Sequence, residues 1–370
     1  MKWEFDDYVV SEDMCRMVRA KDDSFHMFMR KKDGVTLKWG KTPEEDPMWC
    51  PFGPELLDIE VTTICNGIQD KDGNNAPCPF CYKSNTVSGE NMSLETFKNI
   101  FDKITAAKTL NQIAFGADAS LQANPELFAM FKYCRDNGVT PNVTCADISW
   151  STAAALVGIC GAVAVSWYPL RNKERCYDSV SYLVKEKEAQ KKDTQINIHA
   201  LLSTQTLPLF DELIHDVKTD ERLKGLKAVV ILSLKKKGRG TSFDCVSQED
   251  FEKLMDKLRA QNIPFGMDSC SAAKFLDYLD KNPTEENRQL KSIVESCESF
   301  MWSSYINVKG VFYPCSFMEG EGEWRDGIDV TKINSFKDEV WLSDRGKKWR
   351  SDMENCLKCK GHTQCPYYQV

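Results

Sequence analysis

The chain has 370 residues, 42% of them hydrophobic and 28% charged, with a formal net charge of −7. That length allows one large α/β domain with a smaller partner, and the acidic balance argues against a nucleic-acid partner, which needs a basic face. The longest apolar stretches, such as Ala153–Val165, fall short of a membrane span, and Met1–Val10 lacks the basic-then-apolar order of a signal peptide, so we expect a cytoplasmic protein.

Residues 1–55 are mixed. Lys31–Gly34 predicts a hairpin turn between Phe25–Met29 and Val35–Trp39, and with it a β-rich N-terminal extension. From Leu57 the pattern alternates. Strands are predicted near 57–64, 111–116, 139–145, 161–167, 194–202 and 226–234, and helices near 93–106, 125–137, 150–158, 176–187, 207–217 and 247–261. Short strand–helix–strand connections imply a parallel sheet. Six units are too few for an eight-unit barrel, so the fold expected over 56–262 is a partial (β/α)6 TIM-like barrel, with ligands at the carboxyl ends of the strands.

After a seventh strand-like segment, Ile263–Cys270, the alternation stops. Residues 263–370 read as a small cysteine-rich C-terminal domain, its core supplemented by metal rather than by hydrophobic bulk. The basic run Lys235–Gly240 reads as a solvated loop with some capacity to meet an anionic ligand. Sixteen cysteines are a heavy load. In a cytosolic protein such clusters are more often metal sites than disulfides, although Cys134 and Cys160, on apolar faces, read as plain buried thiols.

Three cysteines stand out. Cys65 follows the first predicted strand, and Cys78-Pro-Phe-Cys81 comes after twelve intervening residues. A thioredoxin-type reading fails because the third cysteine precedes the pair. Zinc needs a fourth ligand, and His26 and His199 are far away in sequence. Three thiolates at one strand end suit an iron–sulfur cluster with one iron left free.

In this loop the chain resembles the radical S-adenosylmethionine (SAM) superfamily, over roughly residues 57–235. The resemblance implies that Cys65, Cys78 and Cys81 hold a [4Fe-4S] cluster whose fourth iron is chelated by SAM, and that Phe80 packs near the adenine. The commonest loop spaces its first two cysteines by three residues, so this loop is longer. Gly116-Ala117-Asp118 resembles the family's Gly-Gly-Glu segment, whose backbone meets the SAM amino group; Ala and Asp are departures there. Ser166 falls where relatives contact the SAM ribose or carboxylate. Asn197 and His199 are further cofactor or substrate candidates, a buried structural histidine being the alternative for His199.

The tail spacing Cys297-x12-Gly310-x4-Cys315, then Cys356-x2-Cys359-x5-Cys365, resembles the SPASM extension of peptide-modifying radical enzymes, with zinc as the competing reading. The full pattern carries a further cysteine where Gln369 stands. The resemblance therefore implies one auxiliary cluster, expected to be [4Fe-4S], as in the shortened twitch relatives. Its ligands are expected among Cys297, Cys315, Cys356 and Cys359, with Cys365 and then Cys270 as rivals. A surplus thiol, Cys270 or Cys365, is also a candidate hydrogen-atom donor. The implied activity is hydrogen abstraction from a peptide or protein by a 5′-deoxyadenosyl radical, with an electron donor such as flavodoxin or ferredoxin. The alternatives are a dehydrogenase or modifying enzyme for a small molecule or nucleoside, and a non-catalytic zinc-binding module.

Overall fold

The computed structural model describes residues 1–31, 35–42 and 44–358, the side chains of 355–358 excepted. The chain opens with strands β1 (Lys2–Glu4), β2 (Tyr8–Glu12), β3 (Cys15–Ala20), β4 (His26–Arg30) and β5 (Thr36–Trp39), paired antiparallel in chain order. β4 and β5 flank the predicted hairpin turn, whose residues 32–34 lie outside the described part.

This sheet covers the amino ends of the main strands. Arg16 of β3 donates to the Leu110 carbonyl (2.7 Å) and the Gly138 carbonyl (3.1 Å). The Tyr8 hydroxyl donates to the Ala107 carbonyl at 2.9 Å. Buried carbonyls must be satisfied, and here the small sheet satisfies them. The carboxyl ends of the main strands are left for chemistry.

The main sheet begins with β6 (Leu56–Glu60). The long loop after it carries a two-residue hairpin, β7 (Ile68–Gln69) with β8 (Asn75–Ala76). Then come α1 (Leu94–Thr105), β9 (Gln112–Gly116), α2 (Leu127–Asp136), β10 (Thr140–Cys145), α3 (Trp150–Leu156), β11 (Ala162–Trp167), α4 (Lys173–Gln190), β12 (Gln195–Leu202), α5 (Phe210–Thr219), β13 (Ala228–Ser233), α6 (Gln248–Ala260) and β14 (Phe265–Met267). The predicted strands and helices of this region are all present, and β14 is the short seventh strand.

Local chemistry explains the helices. Ser93, Ser149 and Ser247 each accept the amide hydrogen of the residue three positions on, a cap worth about 1 kcal/mol. Phe97, Ile100, Phe101 and Ile104 give α1 one buried face. In β6, Leu57 and Ile59 are buried in the hydrophobic core, while Asp58 and Glu60 line an internal cavity. β14 and β6 lie six places apart in the strand order, roughly 29 Å if the sheet were flat. Asp58 of β6 and Asp268 just after β14 nevertheless line that one cavity. The sheet therefore curls around it.

Downstream lie α7 (Ala272–Lys281), α8 (Glu285–Lys291), β15 (Ser303–Ile306), β16 (Val311–Tyr313), β17 (Ile328–Asp329) and α9 (Asp344–Lys358). β15 pairs parallel with β6, and β16 and β17 extend the sheet antiparallel to ten strands. Gly310, at φ +78°, makes the turn between β15 and β16, as its spacing predicts. This region differs from the expected metal-dependent core. Phe300 packs against Phe312 (ring centroids 4.8 Å apart), Trp341 (5.2 Å) and Trp324 (5.6 Å), within one hydrophobic cluster shared with the main sheet. Hydrophobic bulk holds it. Cys134 and Cys160 are buried thiols, as expected. Among the described residues no helix is long and apolar enough to cross a membrane.

Candidate active site

Cys65, Cys78 and Cys81 share one cavity of about 510 Å³ at the carboxyl ends of the parallel strands, within the usual range for a small-ligand site. Cys65 is placed by its amide, which donates to the Thr86 carbonyl at 2.7 Å, and its sulfur accepts from the Gly67 amide at 3.3 Å. Gly67 has φ +77°, and a Cβ there would stand 2.0 Å from the Ala76 carbonyl oxygen. Glycine is therefore required where the long loop folds back. Burial pushes the Cys78 thiol up to about 11, and a hydrogen bond from Tyr168 pulls against that. A metal binding there must displace a proton from the sulfur.

The wall opposite the loop is built by successive strand ends. Gly116, Ala117 and Asp118 line the cavity after β9. The Asp118 carboxylate is occupied by its own loop, accepting from the amides of Ser120 (3.1 Å), Gln122 (3.3 Å) and Ala123 (3.0 Å). Ser166 of β11 is on the wall and is hydrogen-bonded to Tyr168, which in turn meets Cys78. Phe80 is buried with its ring 4.3 Å from that of Phe243. His199 lines the cavity; burial pushes its imidazole down to about 4, against the pull of Asp268, so it is neutral near pH 7.

Asn197 is absent from this wall. Side chains in β12 alternate, so Asn197 shares a face with His199 but lies two residues nearer the amino end. In register it pairs with Ala164, in the middle of β11, and with Ala228, the first residue of β13.

The far wall is charged. Asp58 has its carboxyl pushed up to about 7 by burial alone. Lys83 pairs with Glu60 at 3.2 Å and with Glu319, and the Tyr305 hydroxyl joins the same group. Lys235, itself buried, pairs with Asp268.

A second cavity, of about 260 Å³, lies behind that wall and is lined by Cys270, Cys297 and Cys315. Asp58, Lys235, Asp268, Ser316 and Phe317 line both cavities and so form the partition. The backbone of Cys356 belongs to α9, while its side chain, and all of Cys359 and Cys365, lie outside the described residues. Among the described residues no three Cys, His, Asp or Glu side chains converge on a single ion. A polynuclear cluster differs in its demand, because its own iron and sulfide hold the thiolates farther apart than one ion does. Both cysteine sets fit that donor chemistry.

Sequence reasoning misses Tyr168, Asp58 and Arg239. Tyr168 carries a weak signal, since it follows β11 directly and so stands at a strand's carboxyl end. Arg239 lies in the basic run read as a solvated loop, which is corrected here: Lys235 is buried, and Arg239 donates to the Cys78 carbonyl at 2.8 Å. Its signal is the flanking pair Gly238 and Gly240, which allows close backbone approach.

No family model and no curated protein matches the sequence. Among solved structures, that of Streptococcus suis SuiB bound to S-adenosylmethionine covers 99% of this chain and 94% of its own, at 12% identity and a TM-score of 0.61. The structure of BtrN in complex with AdoMet and 2-DOIA covers 84% of this chain and 91% of its own at 12% identity, with a TM-score of 0.39. The SuiB match shows the fold alone, an α/β architecture built on a large parallel sheet, as the strand–helix alternation led us to expect.

Proposed function

We propose that the chain is a radical SAM enzyme that abstracts a hydrogen atom from a peptide or protein substrate. The observation that carries this reading is the meeting of Cys65, Cys78 and Cys81 with the Gly116–Asp118 segment around one cavity at the strand ends. The three thiols would hold a [4Fe-4S] cluster, and the residues facing them would hold SAM. When bound and reduced, the cluster would supply one electron to SAM, whose C5′–S bond would break to leave methionine and a 5′-deoxyadenosyl radical.

The chain's own residues do the positioning. Tyr168 fixes the Cys78 sulfur through a hydrogen bond. Phe80 and Phe243 present an apolar surface for a purine. The Asp118 carboxylate, taken up by the amides of Ser120, Gln122 and Ala123, shapes the loop that follows it rather than contacting ligand. Neutral His199 can donate one hydrogen bond and accept another without adding charge.

Cys270, Cys297 and Cys315 would hold the auxiliary cluster, with a fourth thiol from Cys356, Cys359 or Cys365. This places Cys270 ahead of its rank in the sequence reading. The peptide substrate rests on the SPASM-like spacing, and reduction by a flavodoxin or ferredoxin completes the scheme.

The test is anaerobic reconstitution with iron and sulfide, followed by reduction, addition of SAM and quantification of 5′-deoxyadenosine. The chain should release it, and the triple variant Cys65→Ala, Cys78→Ala, Cys81→Ala should release at least about 100-fold less. Equal release by both sinks the proposal.

A further inference from the structure

The segment Lys235–Gly240, which leaves the end of β13, touches both cysteine sites. At one end, buried Lys235 pairs with Asp268 and hydrogen-bonds Cys270. Two residues on, the Lys237 ammonium donates to the carbonyls of Phe317 (2.9 Å) and Glu319 (2.6 Å), just past Cys315, and pairs with Glu321 at 3.1 Å. Two residues further, Arg239 turns to the other site. Its Nε donates to the Cys78 carbonyl at 2.8 Å, both terminal nitrogens to the Asn85 carbonyl at 3.2 Å, and its amide to the Cys81 carbonyl at 3.0 Å.

Arg239 and Lys237 thus hold mostly main-chain carbonyls, and they place the two loops without competing for sulfur. A guanidinium suits this because its planar fork can engage two carbonyls at once. Gly238 completes the contact: its φ is +56°, and a Cβ would stand 2.4 Å from the Tyr82 carbonyl oxygen and 2.6 Å from that of Cys81. The Cys78–Ser84 loop's own turn bonds are long, Cys81 N to Cys78 O at 3.3 Å and Ser84 N to Cys81 O at 3.2 Å. The brace supplies charge-assisted bonds, which are stronger.

We infer that Lys235–Gly240 is a brace fixing the two cysteine sites relative to each other, with Arg239 the positioning residue for Cys78 and Cys81 and Lys237 that for the segment after Cys315. The inference rests on the radical SAM reading for what the sites carry, but the bracing itself belongs to the metal-free chain.

Hydrogen exchange on metal-free protein tests the bracing. Arg239→Ala should speed exchange across 78–85 by roughly tenfold, and Lys237→Met should do so across 315–321. Because the brace is one segment, Lys237→Met should also speed exchange at 78–85, by roughly threefold. Effects confined to each residue's own contact overturn the brace, as does an unchanged rate in Arg239→Ala. If that variant fails to fold, Arg239→Lys decides instead, since a lysine keeps the charge but cannot span both carbonyls.

The second readout is the electron paramagnetic resonance signal of reconstituted, reduced protein. In wild type it should change on adding SAM, and in Arg239→Ala that change should shrink at least about fivefold. An undiminished response removes Arg239 from its role. If wild type itself forms no SAM-responsive cluster, the proposed function fails, and the exchange data still decide the brace.

Discussion

Asp58 stands in β6 beside Ala114 and Tyr305 in register, on the partition between the two cavities. Burial alone moves its carboxyl from 3.8 to about 7. Between those values the folded chain keeps a proton that the unfolded chain has released. This group's contribution therefore favours the fold at low pH and is lost as pH rises through about 7. His199 acts in the opposite sense. Its imidazole is lowered from 6.5 to about 4, so its contribution is present above 6.5 and lost as pH falls toward 4. Asp58→Asn should raise the Tm of the metal-free protein by about 2–4 °C at pH 8 and by less than about 1 °C near pH 4. A scanning calorimetry series in which the gap does not widen with pH would refute the assignment. Nothing in the sequence marks Asp58, because an acidic residue in a predicted strand looks the same whether it faces solvent or an internal cavity.

The strands and helices of the parallel sheet are legible in the sequence because alternation, apolar stripes and serine caps are all local signals. Cys65, Cys78 and Cys81 are legible for the same reason, their spacing being short and sitting next to a strand. Tyr168 and Arg239 are not, since their partners come from loops distant in sequence, and one sequence does not say which loops meet. The connection after β13 shows this best. Read by composition it is a solvated basic run, yet in the fold its glycines are where two backbones nearly touch. Gly238→Ala should cost about 1–3 kcal/mol, lower Tm by about 2–6 °C, and reduce the iron retained after reconstitution. A variant with unchanged Tm and iron content would mean that the Cys78–Ser84 loop yields freely to the added methyl.

At the scale of the molecule, the chain closes on itself. Leu56 to Ile59 of β6 pair with Ser303 to Ile306 of β15. Lys38 lies 4.0 Å over the Trp302 ring, and the Trp341 indole donates to the Cys50 carbonyl at 2.8 Å. We expect a chain ending at Glu295 to lose cooperative thermal unfolding, because β6 would become an exposed edge and the aromatic cluster around Phe300 would be gone. Calorimetry showing one sharp transition within about 5 °C of the full chain would instead mean that residues 1–295 fold without the region that follows. The β6–β15 pairing also has a consequence in time. The strand leading into the cysteine loop leaves the ribosome long before its partner is made, by roughly 10–50 s at ~5–20 residues per second. Parallel pairing over such a separation is slow to nucleate. The nascent chain therefore carries Cys65, Cys78 and Cys81 on an unfinished scaffold through much of synthesis, and iron delivered during that interval would meet loose thiols rather than a site.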